Sequence, residues 1–223
     1  MIDAGMPAVV IFLGPSLPVE EARCILEATY LPPAKRGDVE WAVNDGARVI
    51  GLIDGVFFQE CAVAHREILF ALRRGVRVIG ASSMGALRSA ELDIFGMEGV
   101  GVIYRLFSEG LLESDDEVAL VFDPLSGKAL SEPLVNIRAT LALSLERGVI
   151  SSEEHHTLLD IASALYYPDR TYQRICREAA DRIERRTIER FQGFISGEAV
   201  DLKKKDAIAA LEYIRDRVMP DVK

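Results

Sequence analysis

The stretch Val76-Arg-Val-Ile-Gly-Ala-Ser-Ser-Met-Gly85 decides the fold class of this chain. Its first half is an apolar run rich in strand-forming residues, and its second half changes to the small and hydroxyl residues that open helices. A buried strand that turns directly into a helix is the repeating element of a parallel α/β sheet. We expect the strand over residues 76–81 and the helix over residues 84–92.

Two earlier segments repeat this pattern. The apolar run Ala8-Val-Val-Ile-Phe-Leu13 predicts a strand, and residues 18–28 have the composition of a helix that follows it. Residues 48–55 predict another buried strand, followed by an amphipathic helix over residues 60–74. Three strand–helix units in succession predict an α/β fold with a parallel-sheet, Rossmann-like three-layer core and right-handed crossovers.

The segments between and after these units have other patterns. Residues 30–38 contain two prolines and a glycine and predict a loop, and residues 96–101 form a glycine-rich link. Residues 117–122 predict one more strand, and helical periodicity continues from residue 136. We therefore expect an α/β core over residues 1–135, with a helical C-terminal region over residues 136–223 packed on it.

Composition and charge exclude several functional classes. The 223 residues carry a formal net charge of −9, which makes general nucleic-acid binding unfavourable. No apolar run approaches the roughly 20 residues that a membrane-spanning helix needs. The N-terminal residues lack the basic start of a secretory signal, so we expect a cytoplasmic protein. The three cysteines are expected to be buried and reduced, and no His/Cys spacing suits zinc, so no metal or cofactor is predicted.

Polar residues follow three of the expected strands, where functional sites of parallel sheets form. The three loops are Gly14-Pro-Ser16, Asp54-Gly55 and Ser82-Ser-Met-Gly85. If the strands are neighbours, these loops share one edge of the sheet. Asp54 ends an apolar strand, so its carboxylate must be solvated or paired. It either orients a catalytic group or caps the helix that follows.

The loop at residues 82–85 has the spacing of a nucleophile elbow, in which small residues flank a serine at two positions before and after. Ser83 fits with Gly85 two residues later, and Ser82 is a rival with Gly80 two residues before it. Helix-start N–H groups at such a turn point at a developing oxyanion. The simpler interpretation is that a serine caps the helix.

A nucleophilic serine needs a base, and the sequence offers two kinds. His65 lies in the middle of a predicted helix, away from the strand ends. Lys35 lies in the loop after the first helix and is the best lysine candidate, since a desolvated lysine can serve as a base. The acids Asp115-Asp-Glu117 are interpreted as a solvated strand entrance, because consecutive side chains in a strand point in opposite directions.

Two further patterns in the sequence allow a functional interpretation. Residues 169–190 carry seven arginines and five acids, which predicts either a solvated helix surface or a docking face for an acidic partner. The glycines of Gly96-Met-Glu-Gly-Val-Gly101 have neither the order nor the position of a dinucleotide-binding loop, because they follow a helix. A nucleotide-binding α/β protein is therefore the weaker interpretation.

The sequence resembles the TfuA-like proteins, most specifically in the run Gly80-Ala-Ser-Ser-Met-Gly-Ala-Leu-Arg88. The resemblance extends over about residues 8–145. The other matching segments are residues 10–16, 31–38, 53–55, 65–69, 116–120 and 135–140. The helical C-terminal third is not diagnostic.

This resemblance implies a role beside YcaO enzymes in peptide backbone thioamidation, where YcaO activates an amide with ATP and a sulfur nucleophile replaces the oxygen. It implies that the protein hydrolyses a thiocarboxylated ThiS-like sulfur carrier and helps YcaO engage its peptide. The Ser–Lys pair described for the family maps onto Ser83, or Ser82, with Lys35. Asp54 or Arg88 would hold the lysine or the carrier's C-terminal glycines, and no metal is required.

Two functions follow from the resemblance and remain open at this point. The first is a hydrolase that delivers sulfide through the Ser–Lys site. The second is a non-catalytic scaffold or activator that docks on YcaO and organises its peptide substrate, for which the arginine-rich residues 170–190 provide a docking face.

Overall fold

The structure is a computed structural model of the chain, and it describes residues 8–57, 61–123 and 127–221. It contains a sheet of five strands, all parallel, in the order β2-β1-β3-β4-β5. The strands are β1 (Ala8–Phe12), β2 (Thr29–Leu31), β3 (Ala47–Leu52), β4 (Arg77–Ala81) and β5 (Glu98–Val100).

Helices connect these strands and make up most of the second half of the chain. In chain order they are α1 (Val19–Ile25), α2 (Asp38–Asn44), α3 (His65–Arg73), α4 (Met84–Leu92), α5 (Val102–Ser108), α6 (Leu134–Glu146), α7 (Ser152–Ala164), α8 (Tyr172–Glu178), α9 (Arg185–Glu198) and α10 (Leu202–Tyr213). A π-helical turn, Ile214–Val218, continues α10.

The sheet is buried on both faces because its central strands β1, β3 and β4 are apolar apart from Arg48 and Arg77, which lie near the strand starts. Side chains alternate in direction along a strand. Val9 and Ile11 of β1 therefore pack on one face with residues of α1 and α10, while Val10 and Phe12 pack on the other with residues of α2 and α3. Each fully buried side chain of this kind contributes roughly 1.5–3 kcal/mol. The predicted parallel, three-layer α/β core is confirmed, together with its helical C-terminal region.

The residues form two compact units. The first consists of Met1–Asp115 together with Lys203–Lys223, and the second of Asp116–Leu202. The second unit has its own core, built from apolar residues of α6, α7, α8 and α9. The domain boundary expected at residue 135 stays a prediction. The C-terminal helix α10 belongs, from Lys203 onward, to the same unit as the sheet.

Three local predictions are wrong. The expected loop at residues 30–38 contains part of β2 and the start of α2, and the glycine-rich link contains β5. Both strands are only three residues long, too short for an apolar pattern to show. Residues 117–122 form no strand: Asp115–Glu117 is a 3₁₀ turn, and Phe122 forms a single bridge with Ala129. The helix expected from residue 60 begins at His65, and Glu60 lies outside the described residues.

Candidate active site

Ser82 and Ser83 form the sharp turn between β4 and α4. Ser82 is the one non-glycine residue in the described ranges with a positive φ, 65°. A side chain in this left-handed region costs roughly 1–2 kcal/mol, and such strain collects at functional sites. Ser83 follows as the residue before α4, and its N–H donates to the Ala81 carbonyl at 2.7 Å. Both serines are buried, with exposed fractions of 0% and 1%.

Two glycines let α4 pack directly against the sheet at this turn. A Cβ on Gly85 would lie 1.6 Å from the Leu52 carbonyl oxygen, and a Cβ on Gly80 would lie 2.2 Å from the Gly85 carbonyl oxygen. Backbone atoms occupy both positions, so any larger residue would push the helix away from the strands. Because glycines occupy both positions, α4 packs closely on the sheet, and this brings Ser82 and Ser83 close to the ends of the neighbouring strands.

The amine beside Ser83 belongs to Lys203, in the first turn of α10. Its Nζ donates to Ser83 Oγ at 3.0 Å. Lys203 is 2% exposed, so this lysine lies inside the protein rather than at its surface. A buried lysine is expensive unless it is paired, and it is the kind of lysine that can lose its proton and serve as a base.

Asp54 links this pair to the loop after β1. Its Oδ2 accepts the N–H groups of Gly14 and Ser16 at 2.8 and 3.0 Å, and its Oδ1 accepts Ser16 Oγ at 2.6 Å. Lys203 Nζ lies 3.9 Å from Oδ1. Asp54 therefore does not cap the following helix. It is fixed by three donors from the β1 loop and faces the buried ammonium group.

The second serine joins the same carboxylate through a relay. Ser82 Oγ donates to Ser16 Oγ at 2.9 Å, and Ser16 Oγ in turn donates to Asp54. The three loops predicted to share one sheet edge thus meet, since Ser16, Asp54 and the serine pair are joined by hydrogen bonds. These loops meet because β1, β3 and β4 are neighbours in the sheet, so their carboxyl ends lie side by side.

Lys35 lies elsewhere. Its side chain is exposed, and its Nζ makes no hydrogen bond or ion pair with any residue in the described ranges. Its backbone N–H donates to Asp38 at 2.8 Å, and it borders a shallow pocket of about 200 Å³ beside Trp41. The structure brings Lys203, and not Lys35, to Ser83.

Arg88 and His65 both contact the carboxylate of Glu91. Arg88 donates to the Val63 carbonyl at 3.0 Å and to Glu91 at 2.6 Å, and His65 lies 2.8 Å from the same Glu91 oxygen. These residues border a pocket of about 490 Å³ that also touches Met84. Neither side chain forms a hydrogen bond with the serines or Asp54. Arg88 and His65 therefore lie apart from the cluster formed by Ser16, Asp54, Ser82, Ser83 and Lys203.

A sequence signal for Lys203 existed but was hidden by its neighbours. Lys203-Lys204-Lys205 reads as one basic cluster, yet apolar residues recur after Lys203 at positions 207, 210, 211 and 214. That spacing is one face of a helix. Lys203 belongs to this buried stripe, whereas Lys204 is half-buried and Lys205 is exposed.

The acids at residues 115–117 are not a solvated strand entrance. Asp116 pairs with Arg170 at 2.6 Å, and the buried Glu117 accepts two guanidinium nitrogens of Arg138 at 2.8–3.2 Å. Arg170 is 0% exposed, so it belongs to the core of the second unit and not to a surface. The prediction failed because sequence spacing gives no information on which cations fold back onto these carboxylates.

The cysteine prediction is correct for one residue of three. Cys176 is buried, and burial raises the pKa of its thiol to about 11. Cys24 and Cys61 are exposed, and all three thiols are free. Cys24 turns outward because the short helix α1 buries only Ala22.

Over residues 8–57, 61–123 and 127–221, no group of three or more His, Cys, Asp or Glu side chains is arranged to hold a metal ion. None of the described helices combines the length and the apolar character that crossing a membrane requires.

Comparison with known proteins identifies the family. The family model described as TfuA-like protein matches residues 54–171, which is more than half of the chain. The match includes Asp54 and the serine pair, while Ser16 and Lys203 lie outside it. No curated protein matches the chain. The match fits a YcaO-associated role. The chain belongs to the TfuA-like family.

Proposed function

We propose that this protein hydrolyses the thiocarboxylate of a ThiS-like sulfur-carrier protein and delivers sulfide for YcaO-dependent peptide backbone thioamidation. The observation that carries the proposal is the 3.0 Å hydrogen bond between Lys203 Nζ and Ser83 Oγ, buried at a strand-to-helix turn. A serine bonded to a lysine is a nucleophile with its base in place. Membership of the TfuA-like family supports the YcaO partner and the proposed carrier, and the contact between Lys203 and Ser83 supports the proposed chemistry.

In the first step, neutral Lys203 takes the proton of Ser83 as Oγ bonds to the thiocarboxylate carbon. The tetrahedral intermediate then expels sulfur, which leaves as hydrosulfide and takes up the proton from Lys203. An ester between Ser83 and the carrier's terminal acyl group remains. Hydrosulfide is a far better leaving group than an amine, so a serine–lysine pair is sufficient for this step.

In the second step, water attacks the ester while Lys203 accepts one of its protons. The carbon–oxygen bond to Ser83 breaks, Ser83 recovers its proton, and the carrier leaves with a carboxylate. Overall, thiocarboxylate and water give carboxylate and hydrogen sulfide, so no oxidant or reductant is needed. The reaction requires no metal and no cofactor.

Asp54 and the start of α4 have supporting roles in this scheme. Asp54 lies 3.9 Å from Lys203 and stabilises the ammonium form that exists after the first proton transfer. The partial positive charge at the start of α4 stabilises the oxyanion. The N–H groups of Gly85, Ala86 and Leu87 already donate to carbonyls at 3.0–3.4 Å, so this support comes from the helix dipole and not from free donors. Ser82 and Ser16 hold Asp54 through the relay.

The test is sulfide release from thiocarboxylated carrier by purified protein, compared among single variants. We expect Ser83→Ala and Lys203→Ala each to lower the rate at least about 100-fold, as loss of a nucleophile or its base does. Lys35→Ala is the matched control, because it removes an exposed lysine, and it should stay within about twofold of wild type. Wild-type rates in both Ser83→Ala and Lys203→Ala would exclude the mechanism.

One observation favours a second function, that of a non-catalytic partner that docks on YcaO and organises its peptide. Ser83 and Lys203 are 1% and 2% exposed, and a carrier tail reaches them only if the surrounding residues move. The same experiment separates the two functions. A wild-type protein that releases no sulfide, but raises the rate of YcaO on its peptide, is a scaffold.

A further inference from the structure

Helix α10 buries a second charged residue, Asp206, one turn after Lys203. Residues 203, 206, 207, 210 and 211 form one buried stripe along the helix. Asp206 is 3% exposed. Its partners are backbone donors: Oδ1 accepts the N–H of Val102 at 2.9 Å, and Oδ2 accepts the N–H of Ile103 at 2.7 Å.

The turn that receives this carboxylate is shaped around it. Gly101 has a φ of 101°, and a Cβ there would lie 2.3 Å from the Asp206 carboxyl carbon. Val102 and Ile103 open helix α5, and their N–H groups have no partner within their own helix. A side chain of α10 therefore closes the start of α5, through a glycine that leaves room for it.

These bonds fix α10 in a way that its apolar contacts do not. Ala207, Ala210 and Leu211 pack against the sheet, but apolar burial is non-directional and allows a helix to slide or rotate slightly. Two charge-assisted hydrogen bonds to neighbouring N–H groups set both the rotation and the height of the helix. Lys203 is on the same stripe, three residues away, so its position follows.

We propose that Asp206 is a positioning residue that holds Lys203 Nζ at hydrogen-bonding distance from Ser83 by tying α10 to the turn at Gly101. This inference rests on the function proposed above. A shift of α10 by about 1 Å would lengthen the 3.0 Å bond beyond the range of a hydrogen bond. Displacements of that size lower turnover strongly when they separate a nucleophile from its base.

The electrostatics around Asp206 agree with such a role. Burial raises the pKa of the Asp206 carboxyl, while the N–H groups of Ile103 and Val102 and the charge of Arg105 lower it. The net effect is a raised pKa, so the donors that fix the helix offset only part of the cost of burying the carboxylate.

The experiment compares Asp206→Asn, Gly101→Ala and a control, Lys205→Ala, which removes an exposed lysine from the same helix. Asn keeps the shape but loses the charge, and Ala at residue 101 pushes on an intact Asp206. We expect kcat for sulfide release to fall about 10- to 100-fold in the first two variants, with KM within about twofold. Lys205→Ala should match wild type in both constants.

A spectroscopic readout keeps this test separate from the proposed function. In protein labelled with ¹⁵N at lysine Nζ, the signal that disappears in Lys203→Ala reports the buried amine directly. We expect that signal to shift in Asp206→Asn and Gly101→Ala but not in Lys205→Ala, whether or not the protein releases sulfide. An unchanged signal in both variants overturns the proposal. So does failure of both variants to fold, because the carboxylate would then support the whole fold and not one amine.

Discussion

Among the described residues, each of the two units of this protein buries one cation almost completely, and the two cations are held differently. Arg170, in the second unit, donates to the carbonyls of Ala162, Leu165 and Asp116 and to the Asp116 carboxylate, at 2.6–3.2 Å. Lys203, in the first unit, donates to the hydroxyl of Ser83 and faces Asp54. An arginine cannot lose its proton in a protein, whereas a lysine can. The arrangement around Arg170 is suited to stability, and that around Lys203 to proton transfer.

The most direct test of this comparison replaces Lys203 of the first unit with arginine, the kind of cation that the second unit buries. Lys203→Arg places a permanent positive charge beside Asp54 and removes the ability to accept a proton. We expect sulfide release to fall at least about 100-fold. Lys204→Arg is the matched control, since Lys204 is half-buried and pairs with Glu21, and it should leave the rate unchanged. A Lys203→Arg protein that stays active would show that the positive charge alone suffices.

The converse change removes the structural cation. Arg170→Met keeps the apolar stem of the side chain but leaves three carbonyls and the Asp116 carboxylate without this donor. We expect the free energy of unfolding to fall by about 3–5 kcal/mol, as it does when one partner of a buried pair is removed. Urea denaturation would measure this. A loss below about 1 kcal/mol would mean that Arg170 is dispensable, and the contrast with Lys203 would fail.

The relay through Ser16 sharpens the choice between the two serines. Ser16→Ala removes the acceptor of Ser82 and one donor of Asp54, but leaves Ser83 and Lys203 in contact. If Ser83 is the nucleophile, we expect a loss of about tenfold or less in sulfide release, typical of a supporting hydrogen bond. A loss as large as that of Ser83→Ala would instead assign the nucleophile to Ser82.

The last expected effect is on stability and not on sulfide release, and it concerns Glu132 of the second unit. Burial and the charge of Asp201 raise the pKa of its carboxyl to about 7. The pKa of Glu132 in the folded protein lies above 4.5, the ordinary value that applies to the unfolded chain. The stabilisation that the protonated carboxyl provides is therefore fully present below pH 4.5 and is lost as the pH rises through 7. Glu132→Gln avoids that loss. We expect the variant to be more stable than wild type by about 2 kcal/mol at pH 8, allowing for partial exposure.

Thermal unfolding of both proteins at pH 4 and pH 8 would measure this difference. The gain in Glu132→Gln should vanish at pH 4, where the wild-type carboxyl is protonated in both the folded and the unfolded state. An equal gain at both pH values would show that the substitution acts through packing and not through charge.

The core of the fold followed from the sequence because long apolar strands have a local signature. β1, β3 and β4 were predicted within one to three residues of their bounds, and α4 at its observed bounds. The short strands β2 and β5 lack that signature, since three residues with partly buried side chains give no period. They are strands because they pair with β1 and β4, which is a tertiary fact.

The chain by itself determined the strand-to-helix turn at residues 80–85, because glycines at 80 and 85 and serines between them specify close packing and a sharp bend locally. It also determined that Ser16 and Asp54 follow apolar strands, whereas the strand order of the sheet decided that these two strands are neighbours. Only the tertiary structure decided which lysine meets Ser83. Lys35 is nearer in sequence, but Lys203 is brought back by a helix whose apolar stripe must be buried on the sheet. Contacts between residues 120 positions apart depend on burial of whole elements, and sequence spacing does not encode them.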